Sequence, residues 1–454
     1  MRKIFITALT LLNLMPLTGQ TTLTLDEATR LAIQNNRTLR NAALDMQMAG
    51  EQKREAYTQY FPKISASMLA FYSFDELVKG DGVIPQEIAL LGAQFAPMVG
   101  QPFSYNELDR GYTASLSIMQ PLYAGGQIRT GNKLADIQRD AMRLQLEMKE
   151  KDVVTRVTDA YWQIAQVQYN LQTLDAADRQ MSEALKTVQT YVDAGLTQRN
   201  DLLKVQLRQQ ELTSNRLKLN NAEHVLRLLL AQMVGMAGED VNINANSIEP
   251  EPPGSVFVNS QDAVLKRPEL QLAQKAVEAG QLQVKMERGK HLPTLAVGLM
   301  GMQTGFGGLS DNTEKYVDRS RANALVLGTL SVPISSWWGG SHAIRRQKMK
   351  LEQARNTALD AREQLQIDIE QAWSNLTEAY DQVGIARQSV AQAEENLRMT
   401  ADQHRAGTIA LADLLDAETL HRKARTTLAG ALAAYQQQRC AYVLKTRSND
   451  ERQY

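Results

Sequence analysis

The stretch that decides the fold runs from Gln127 to Asp193 and reads QIRTGNKLADIQRDAMRLQLEMKEKDVVTRVTDAYWQIAQVQYNLQTLDAADRQMSEALKTVQTYVD. With Asp178 as the one polar interruption, its apolar and small side chains recur at alternating steps of four and three residues, at Val157, Ala160, Ile164, Val167, Leu171, Leu174, Met181, Leu185, Val188 and Val192. A period of 3.5 residues is typical of the seam of a left-handed coiled coil. At about 1.5 Å per residue, the stretch predicts a helical rod of about 100 Å. A single globular core is too small to hold it.

The same pattern occurs again in the second half of the chain. Gly195, in the turn Ala194-Gly195-Leu196-Thr197 that ends the first rod, corresponds to Gly407, and Leu202-Leu203 corresponds to Leu414-Leu415 at the same offset. Earlier in each half, Phe61-Pro62 corresponds to Leu292-Pro293. Both halves therefore repeat one order of helix, proline, short apolar segments, long helix and returning helix, which indicates an internal duplication.

The composition argues against several classes of function. Lys and Arg total 50 and Asp and Glu total 50, so the basic excess of a nucleic-acid-binding protein is missing. The five histidines are scattered and show no metal-ligand spacing, and no phosphate-binding, dinucleotide-binding or nucleophile-elbow motif is present. We therefore expect no enzyme activity, no metal, no cofactor and no nucleic-acid partner.

The start of the chain predicts export. Met1-Arg2-Lys3 is followed by the apolar run Ile4 to Leu17 and the small residue Gly19, so residues 1–20 have the pattern of a secretory signal peptide. After this segment, no apolar run approaches the roughly 20 residues of a membrane-spanning helix. If the protein crosses a membrane, we expect it to do so with strands.

Four segments have strand character: 64–74, 112–122, 294–302 and 324–332. In the first, Ile64, Ala66, Met68, Ala70, Tyr72 and Phe74 share one face. About eleven residues, apolar on one face, suit a tilted transmembrane strand. Strands of a small sheet outside a membrane are the alternative. The fourth segment alternates poorly, which leaves its facing open.

These observations divide the chain into two repeats. The first repeat, 21–234, is expected to contain the first two strands and the helices 26–60, 127–193 and 200–234. An inter-repeat linker rich in Asn, Gly and Pro follows at 235–259. The second repeat, 260–454, is expected to contain the last two strands, separated by a Gly-rich loop at 303–321, and the helices 261–291, 341–405 and 411–446.

Two polar features stand beside the second turn. Asp413 and Asp416 are three residues apart just after it, a spacing that puts both carboxylates on one helix face. Helix capping and complementation of the helix dipole are an equally good explanation of that spacing. His404 occupies the last seam position of the second rod, where the first rod has Val192.

In these features the chain resembles the TolC-like outer membrane efflux proteins, the outer membrane factors. The resemblance covers nearly all of the chain after residue 20. The motifs that carry it are the duplicated order of elements, the proline pairs before the strands, Gly125-Gly126 and Gly339-Gly340 after them, and the two glycine turns. Each motif alone is weak, whereas their combination is specific to the family.

The resemblance implies an α+β membrane protein that assembles as a homotrimer. Four strands from each chain then form a twelve-stranded β-barrel in the outer membrane, and the helices continue it as a long coiled-coil barrel through the periplasm. It also implies a passive exit duct of a tripartite efflux or type I secretion system, gated at its periplasmic tip. The implied partners are a periplasmic adaptor protein, an inner-membrane pump and outer-membrane lipid.

The resemblance also assigns roles to particular residues. Asp413 and Asp416 match the carboxylates that ring the periplasmic constriction. Asp201 and His404 match positions that hold the inner coiled coil closed, although family members usually have an aromatic residue where this chain has His404. The adaptor-docking tip corresponds to the residues of the two turns, Ala194, Gly195, Leu196, Ala406, Gly407 and Thr408. The rival interpretation is a periplasmic coiled-coil scaffold or adaptor without a barrel.

Overall fold

The computed structural model describes residues 21–74, 82–83, 102–103, 110–244, 250–310 and 315–446. The expected signal peptide and most of the segment between the first two strands lie outside these residues. The helices are α1 Leu25–Asn35, α2 Arg37–Thr58, α3 Gln127–Asp193, α4 Arg199–Met233, α5 Ser260–Lys266, α6 Pro268–Gly289, α7 Trp337–Arg405 and α8 Leu411–Thr446. The strands are β1 Thr21–Leu23, β2 Lys63–Tyr72, β3 Gly82–Val83, β4 Pro102–Phe103, β5 Arg110–Ala124, β6 Val241–Ile243, β7 Thr294–Ser310 and β8 Lys315–Ser331.

The chain divides into two compact units. One comprises Met1–Gln47, Ala141–Lys275 and Asn356–Tyr454, and the other comprises Met48–Asp140 and Ala276–Arg355. The second unit contains a four-stranded antiparallel sheet of order β2-β5-β7-β8 together with the sheet-proximal parts of four helices. In the part of the chain that is described, no helix is long and apolar enough to span a bilayer.

The sheet has two chemically different faces. Directly paired residues point to the same face, and the register places Ile64, Ile118, Leu299 and Val326 in one row. The apolar face of the sheet exposes large hydrophobic side chains from all four strands, at Ile64, Met68, Tyr72, Leu116, Leu295, Leu299, Val326 and Leu330. The opposite face carries hydroxyl pairs, including Ser65 Oγ with Ser117 Oγ at 2.7 Å. The register also settles the facing of β8, which the sequence left open.

Strands β7 and β8 correct the sequence expectation. They were expected at 294–302 and 324–332 with a Gly-rich loop between them, whereas the structure continues both strands through most of that loop. The physical reason is visible at Gly305, which pairs with Tyr112 of β5. A side chain at Gly305 would collide with the Tyr112 ring, so glycine here makes room for a neighbour and does not mark a turn.

The remaining strand and helix ends also differ from expectation by a few residues. Strand β2 stops at Tyr72, before the expected residue 74, and β5 extends beyond 112–122 at both ends, with an irregularity between Pro121 and Tyr123. Helix α7 begins at Trp337, four residues earlier than expected.

The helices expected at 26–60 and 261–291 are each broken in two. The breaks fall at Asn36 and Arg267, whose backbones are extended with ψ of 125° and 127°. At the second break Pro268 follows, and proline disfavours helical geometry in the preceding residue. At the first break the Asn36 side chain accepts from the backbone N–H of Thr38 at 2.9 Å and donates to the carbonyl of Met233 at 3.2 Å. Its amide thereby caps the start of α2.

The coiled-coil seams are buried as their period requires. Along α3, Val157, Ile164, Leu174, Met181 and Val188 are buried. A core at the turn-proximal ends joins α3 and α4 with α7 and α8 through Leu174, Met181, Val188, Val205, Leu212, Leu397, Leu411 and Leu414. Residues from both repeats therefore share one hydrophobic core at this level.

A short parallel sheet is present where the sequence predicts only a linker. Strand β1 pairs with β6, from Thr21 with Val241 to Leu23 with Ile243. The hydroxyl of the buried Tyr161 donates to the carbonyl of Asn244 at 2.9 Å. Burial, followed by the charges of Asp26 and Glu27, raises the pKa of Tyr161 to about 12. The phenol therefore stays protonated and acts as a donor.

Candidate functional site

The two turns between the long and returning helices have the same geometry. At the first turn, Gly195 has φ of +72°, its N–H donates to the carbonyl of Val192 at 3.0 Å, and the N–H of Leu196 donates to the carbonyl of Tyr191 at 2.8 Å. This is the Schellman pattern, which satisfies two terminal carbonyls of α3. Leu196, the next residue, is 74% exposed.

The second turn repeats the pattern at Gly407. Its φ is +73°, its N–H donates to the carbonyl of His404 at 2.9 Å, and the N–H of Thr408 donates to the carbonyl of Gln403 at 3.0 Å. No described atom lies within 4 Å of the position that a Cβ would take at either glycine. The requirement for glycine is therefore conformational and not one of space.

Asp201 is held within the first turn of α4. Its carboxylate accepts from Thr197 Oγ1 at 2.8 Å and from Lys204 Nζ at 3.1 Å. The hydrogen bond from Thr197, then that from Lys204, lowers the pKa of Asp201, and the charge of His404 lowers it further. Among the described residues, no hydrogen bond joins Asp201 to His404. The two residues are thus electrostatic neighbours without a direct link inside one chain.

Asp413 and Asp416 are the third and sixth residues of α8, and both are exposed. Ala410 is the residue that immediately precedes the helix, so neither aspartate occupies the N-cap position. No hydrogen bond or ion pair to either carboxylate is found within the described part of the chain. Asp413 lies in the first turn, where a negative charge is favourable to the helix dipole, whereas Asp416 lies beyond it. The structure therefore leaves both carboxylates available to a ligand.

A group of charges centred on a buried carboxylate joins α4 to α8, and sequence reasoning missed it. We call Arg208, Glu211, Glu418 and Arg422 the interhelix ion cluster. Glu418 is only 2% exposed. Its carboxylate pairs with Arg208 Nη2 at 3.0 Å and with Arg422 Nε at 3.6 Å. Arg208 also pairs with Glu211 and donates to the hydroxyl of Thr419. One buried carboxylate thus lies between two guanidinium groups from the two repeats.

Charge compensation keeps the guanidinium of Arg208 ionised within the interhelix ion cluster. Burial lowers the pKa of Arg208, but hydrogen bonds and charges from Glu418 and Glu211 outweigh burial and raise it overall. The sequence shows the spacings Arg208 to Glu211 and Glu418 to Arg422, which predict pairs along one helix. It does not show that Arg208 reaches Glu418, because the two residues belong to different repeats.

Among the described residues, no group of three or more His, Cys, Asp and Glu side chains is arranged to hold a metal ion. The arrangement offers instead two glycine turns, an exposed pair of carboxylates on α8 and a buried ionic link between the returning helices.

Comparisons with known proteins place these features in a family. The model of the family described as "Outer membrane efflux protein" matches residues 28–238 and 259–441. Outer membrane efflux protein BepC of Brucella suis biovar 1 (strain 1330) is 23% identical over 312 residues, which are 67% of this chain and 65% of that protein. Outer membrane protein TolC of Salmonella enteritidis is 20% identical over 339 residues, 71% and 66% of the two chains. The match thus spans just under two thirds of each relative.

A solved structure supports the same fold. A structure from the work on "Crystal structures of CusC", which concerns conformational changes accompanying folding and transmembrane channel formation, superposes on this chain. The TM-score is 0.75 and the sequence identity is 16%. The superposition covers 94% of this chain and 92% of that one. At this identity the likeness shows the fold and nothing about cargo.

Proposed function

The chain belongs to the outer membrane efflux protein family, and we propose that it forms the exit duct of a tripartite efflux or type I secretion system. The family is one of channels and not of enzymes, and its place is the outer membrane, with an extension into the periplasm. The observation that carries the proposal is the sheet β2-β5-β7-β8, which has one apolar face and two edges without a strand partner among the described residues.

The sheet supports a barrel shared between copies. Strands β2 and β8 are its edges, and unpaired backbone groups are not tolerated in the hydrocarbon layer. Pairing β8 of one copy with β2 of the next removes every edge when the ring closes. We propose that three copies close a twelve-stranded barrel. Its apolar face, with Ile64, Leu299 and Val326, then meets lipid, and the face with Ser65 and Ser117 lines the pore.

The tip of the duct is proposed at the two glycine turns. Gly195 and Gly407 end the long helices α3 and α7, and the exposed Leu196 offers an apolar contact there. We assign the docking of the periplasmic adaptor protein to Ala194, Gly195, Leu196, Ala406, Gly407 and Thr408. The inner-membrane pump is reached through that adaptor.

The constriction is proposed at Asp413 and Asp416. Both carboxylates are exposed in one chain, and threefold assembly brings six of them around one axis. Like charges at close range disfavour further ionisation and attract cations. This ring would oppose closure, so links between helices have to hold the duct shut at rest. Asp201 and His404 are proposed among the polar links between neighbouring coiled coils that close the gate, and the interhelix ion cluster supports the same closure within each chain.

A test of this function starts with fractionation of cells that express the full chain. We expect the protein in the outer membrane, extractable only with detergent, and trimeric by light scattering. Deletion of its gene should sensitise cells to exported compounds, and a plasmid copy should restore resistance. A protein that leaves lysed cells in the aqueous fraction as a monomer would instead be the periplasmic scaffold without a barrel.

A further inference from the structure

In the unit that holds the sheet, the helices follow the order of the strands. Neighbouring helices are joined by the contacts Lys53 Nζ to Asp136 Oδ1 at 2.6 Å (α2 to α3), Met286 packed against Gly131 (α6 to α3), and Gln347 Nε2 to Gln283 Oε1 at 2.6 Å (α7 to α6). The helix order α2-α3-α6-α7 therefore mirrors β2-β5-β7-β8. Helices α2 and α7, like strands β2 and β8, are the two edges of this unit.

The outer side of α7 is open. Trp338, His342, Arg345 and Met349 follow one another at steps of four, three and four residues and share a face, which we call the free flank of α7. All four are exposed, Trp338 to 74% and Met349 to 67%. Leu351 faces the other way and packs against Gly280 of α6. The free flank of α7 is thus basic in its middle and apolar at both ends.

The outer side of α2 is open as well. Met48, Glu51 and Glu55 share one face, which we call the free flank of α2, and all three are exposed. Met48 is 55% exposed. Lys53 points elsewhere and pairs with Asp136 of α3. Glu51 also pairs with Arg54 of the same helix at 2.7 Å, and both side chains are open to solvent. The free flank of α2 thus carries two carboxylates near the sheet and an apolar side chain further from it, whereas the free flank of α7 is basic in its middle.

The two free flanks match in height above the sheet. Helix α2 runs toward β2 and ends at Thr58, whereas α7 begins at Trp337 and runs away from β8. At 1.5 Å per residue, Met48 lies about 15 Å from the end of α2, and Met349 lies about 18 Å from the start of α7. Glu51 and Arg345 stand at about 10 and 12 Å, and Glu55 and His342 at about 5 and 8 Å.

We propose that the free flank of α7 packs antiparallel on the free flank of α2 of a second copy of this chain. Arg345 then meets Glu51 of that copy, His342 meets Glu55, and Met349 meets Met48. The proposal rests on the trimer proposed above and names its periplasmic seam. The contact joins two different surfaces, and such a heterologous contact builds a ring when its rotation closes. It also fixes the register of β8 against the neighbouring β2.

Crosslinking tests the pairing in the full-length protein in its membrane. All variants carry Cys440→Ala, so that introduced thiols are the only ones. We expect Met48→Cys with Met349→Cys to give covalent dimers and trimers when membranes are treated with a bismaleimide. The matched control combines Met48→Cys with Lys350→Cys, because one residue along the helix turns the thiol about 100° away from the seam.

Charge exchange gives an independent measurement. We expect Arg345→Glu to lower the temperature at which the detergent-extracted trimer dissociates, and Glu51→Arg in the same chain to restore it. The proposed seam is overturned if the Met48 and Met349 cysteines crosslink no better than the control pair and Glu51→Arg does not restore the dissociation temperature. These residues would then face lipid or the duct interior. The parent protein then remains trimeric and the proposed function stands. A parent that is itself monomeric overturns both.

Discussion

Replacement of Glu418 by Gln probes the interhelix ion cluster at its centre. The change keeps the shape of the side chain but removes its charge, and it leaves the guanidinium groups of Arg208 and Arg422 beside each other without the buried counter-ion. Breaking a buried ion pair by removing one partner costs about 3 to 5 kcal/mol. Gln can still accept one hydrogen bond from Arg208, which donates to Glu418 Oε2 at 3.0 Å. We therefore expect a loss near the lower end, about 3 kcal/mol.

The matched control is Glu211→Gln in the same cluster. Glu211 also pairs with Arg208, but its side chain is 49% exposed. Pairs open to solvent contribute at most about 1 kcal/mol. Urea unfolding of the detergent-extracted protein, followed by helical circular dichroism, measures both losses provided that the slope of the transition stays unchanged. If Glu418→Gln and Glu211→Gln lower the free energy of unfolding equally, the burial of Glu418 does not determine the strength of its ion pairs.

A second variant separates the charge from the packing. In Arg208→Met with Glu418→Leu and Arg422→Met, apolar side chains of similar length replace the whole buried group. Substitutions of this kind are often neutral or stabilising, because no uncompensated charge is left in the interior. We expect the triple variant to recover most of the stability that Glu418→Gln loses. Failure to recover it would mean that these ionic contacts are themselves the source of the stability.

The remaining predictions concern the tip and its surroundings. Gly195→Val with Gly407→Val should abolish export in a drug-susceptibility assay while trimers persist, since φ near +70° is strained for a β-branched residue; unchanged export would contradict the docking role. Asp413→Ala with Asp416→Ala should remove block by multivalent cations in planar-bilayer recordings, and equal block would place the constriction elsewhere. Burial, then the charge of Arg425, lowers the pKa of His421 although Glu394 and Glu418 oppose the shift. The unfolded state therefore binds more protons than the folded state, so the free energy of unfolding should fall as the pH drops below about 6.5. His421→Asn should make this fall smaller, as measured by urea titrations at several pH values.

Much of the helical architecture could be read from the sequence because a heptad seam is a long and redundant signal. Helix α3 has the bounds Gln127–Asp193 that its pattern gives, and the resemblance to the TolC-like family is confirmed by the family match. The strands were harder to predict. Glycines such as Gly305 indicated a loop, whereas in the sheet they give space to a neighbouring ring, which local sequence cannot show.

The candidate site was only partly visible in the sequence. The glycine turns are local motifs that the sequence shows directly, and both Gly195 and Gly407 have the left-handed backbone that often ends a helix. The roles assigned to Asp201, His404, Asp413 and Asp416 stay predictions, because they concern the gate of an assembled duct and not one chain. The pairing of Arg208 with Glu418 was missed because its partners are far apart in the chain and only the packing of α4 on α8 brings them together.

The pairing of β1 with β6 has a consequence for how the chain folds. Thr21 begins the first repeat and Val241 lies in the inter-repeat linker, so the two paired residues are 220 positions apart in the chain. Closing a loop of about 220 residues costs about 5 kcal/mol of chain entropy above the constant term. Leu23, Val241 and Ile243 are buried in one core with Leu230 and Ala231 of α4, and this burial offsets the cost. Because the chain entropy of a long loop is lost before a non-local contact can compensate for it, we expect β1 to pair with β6 late in folding.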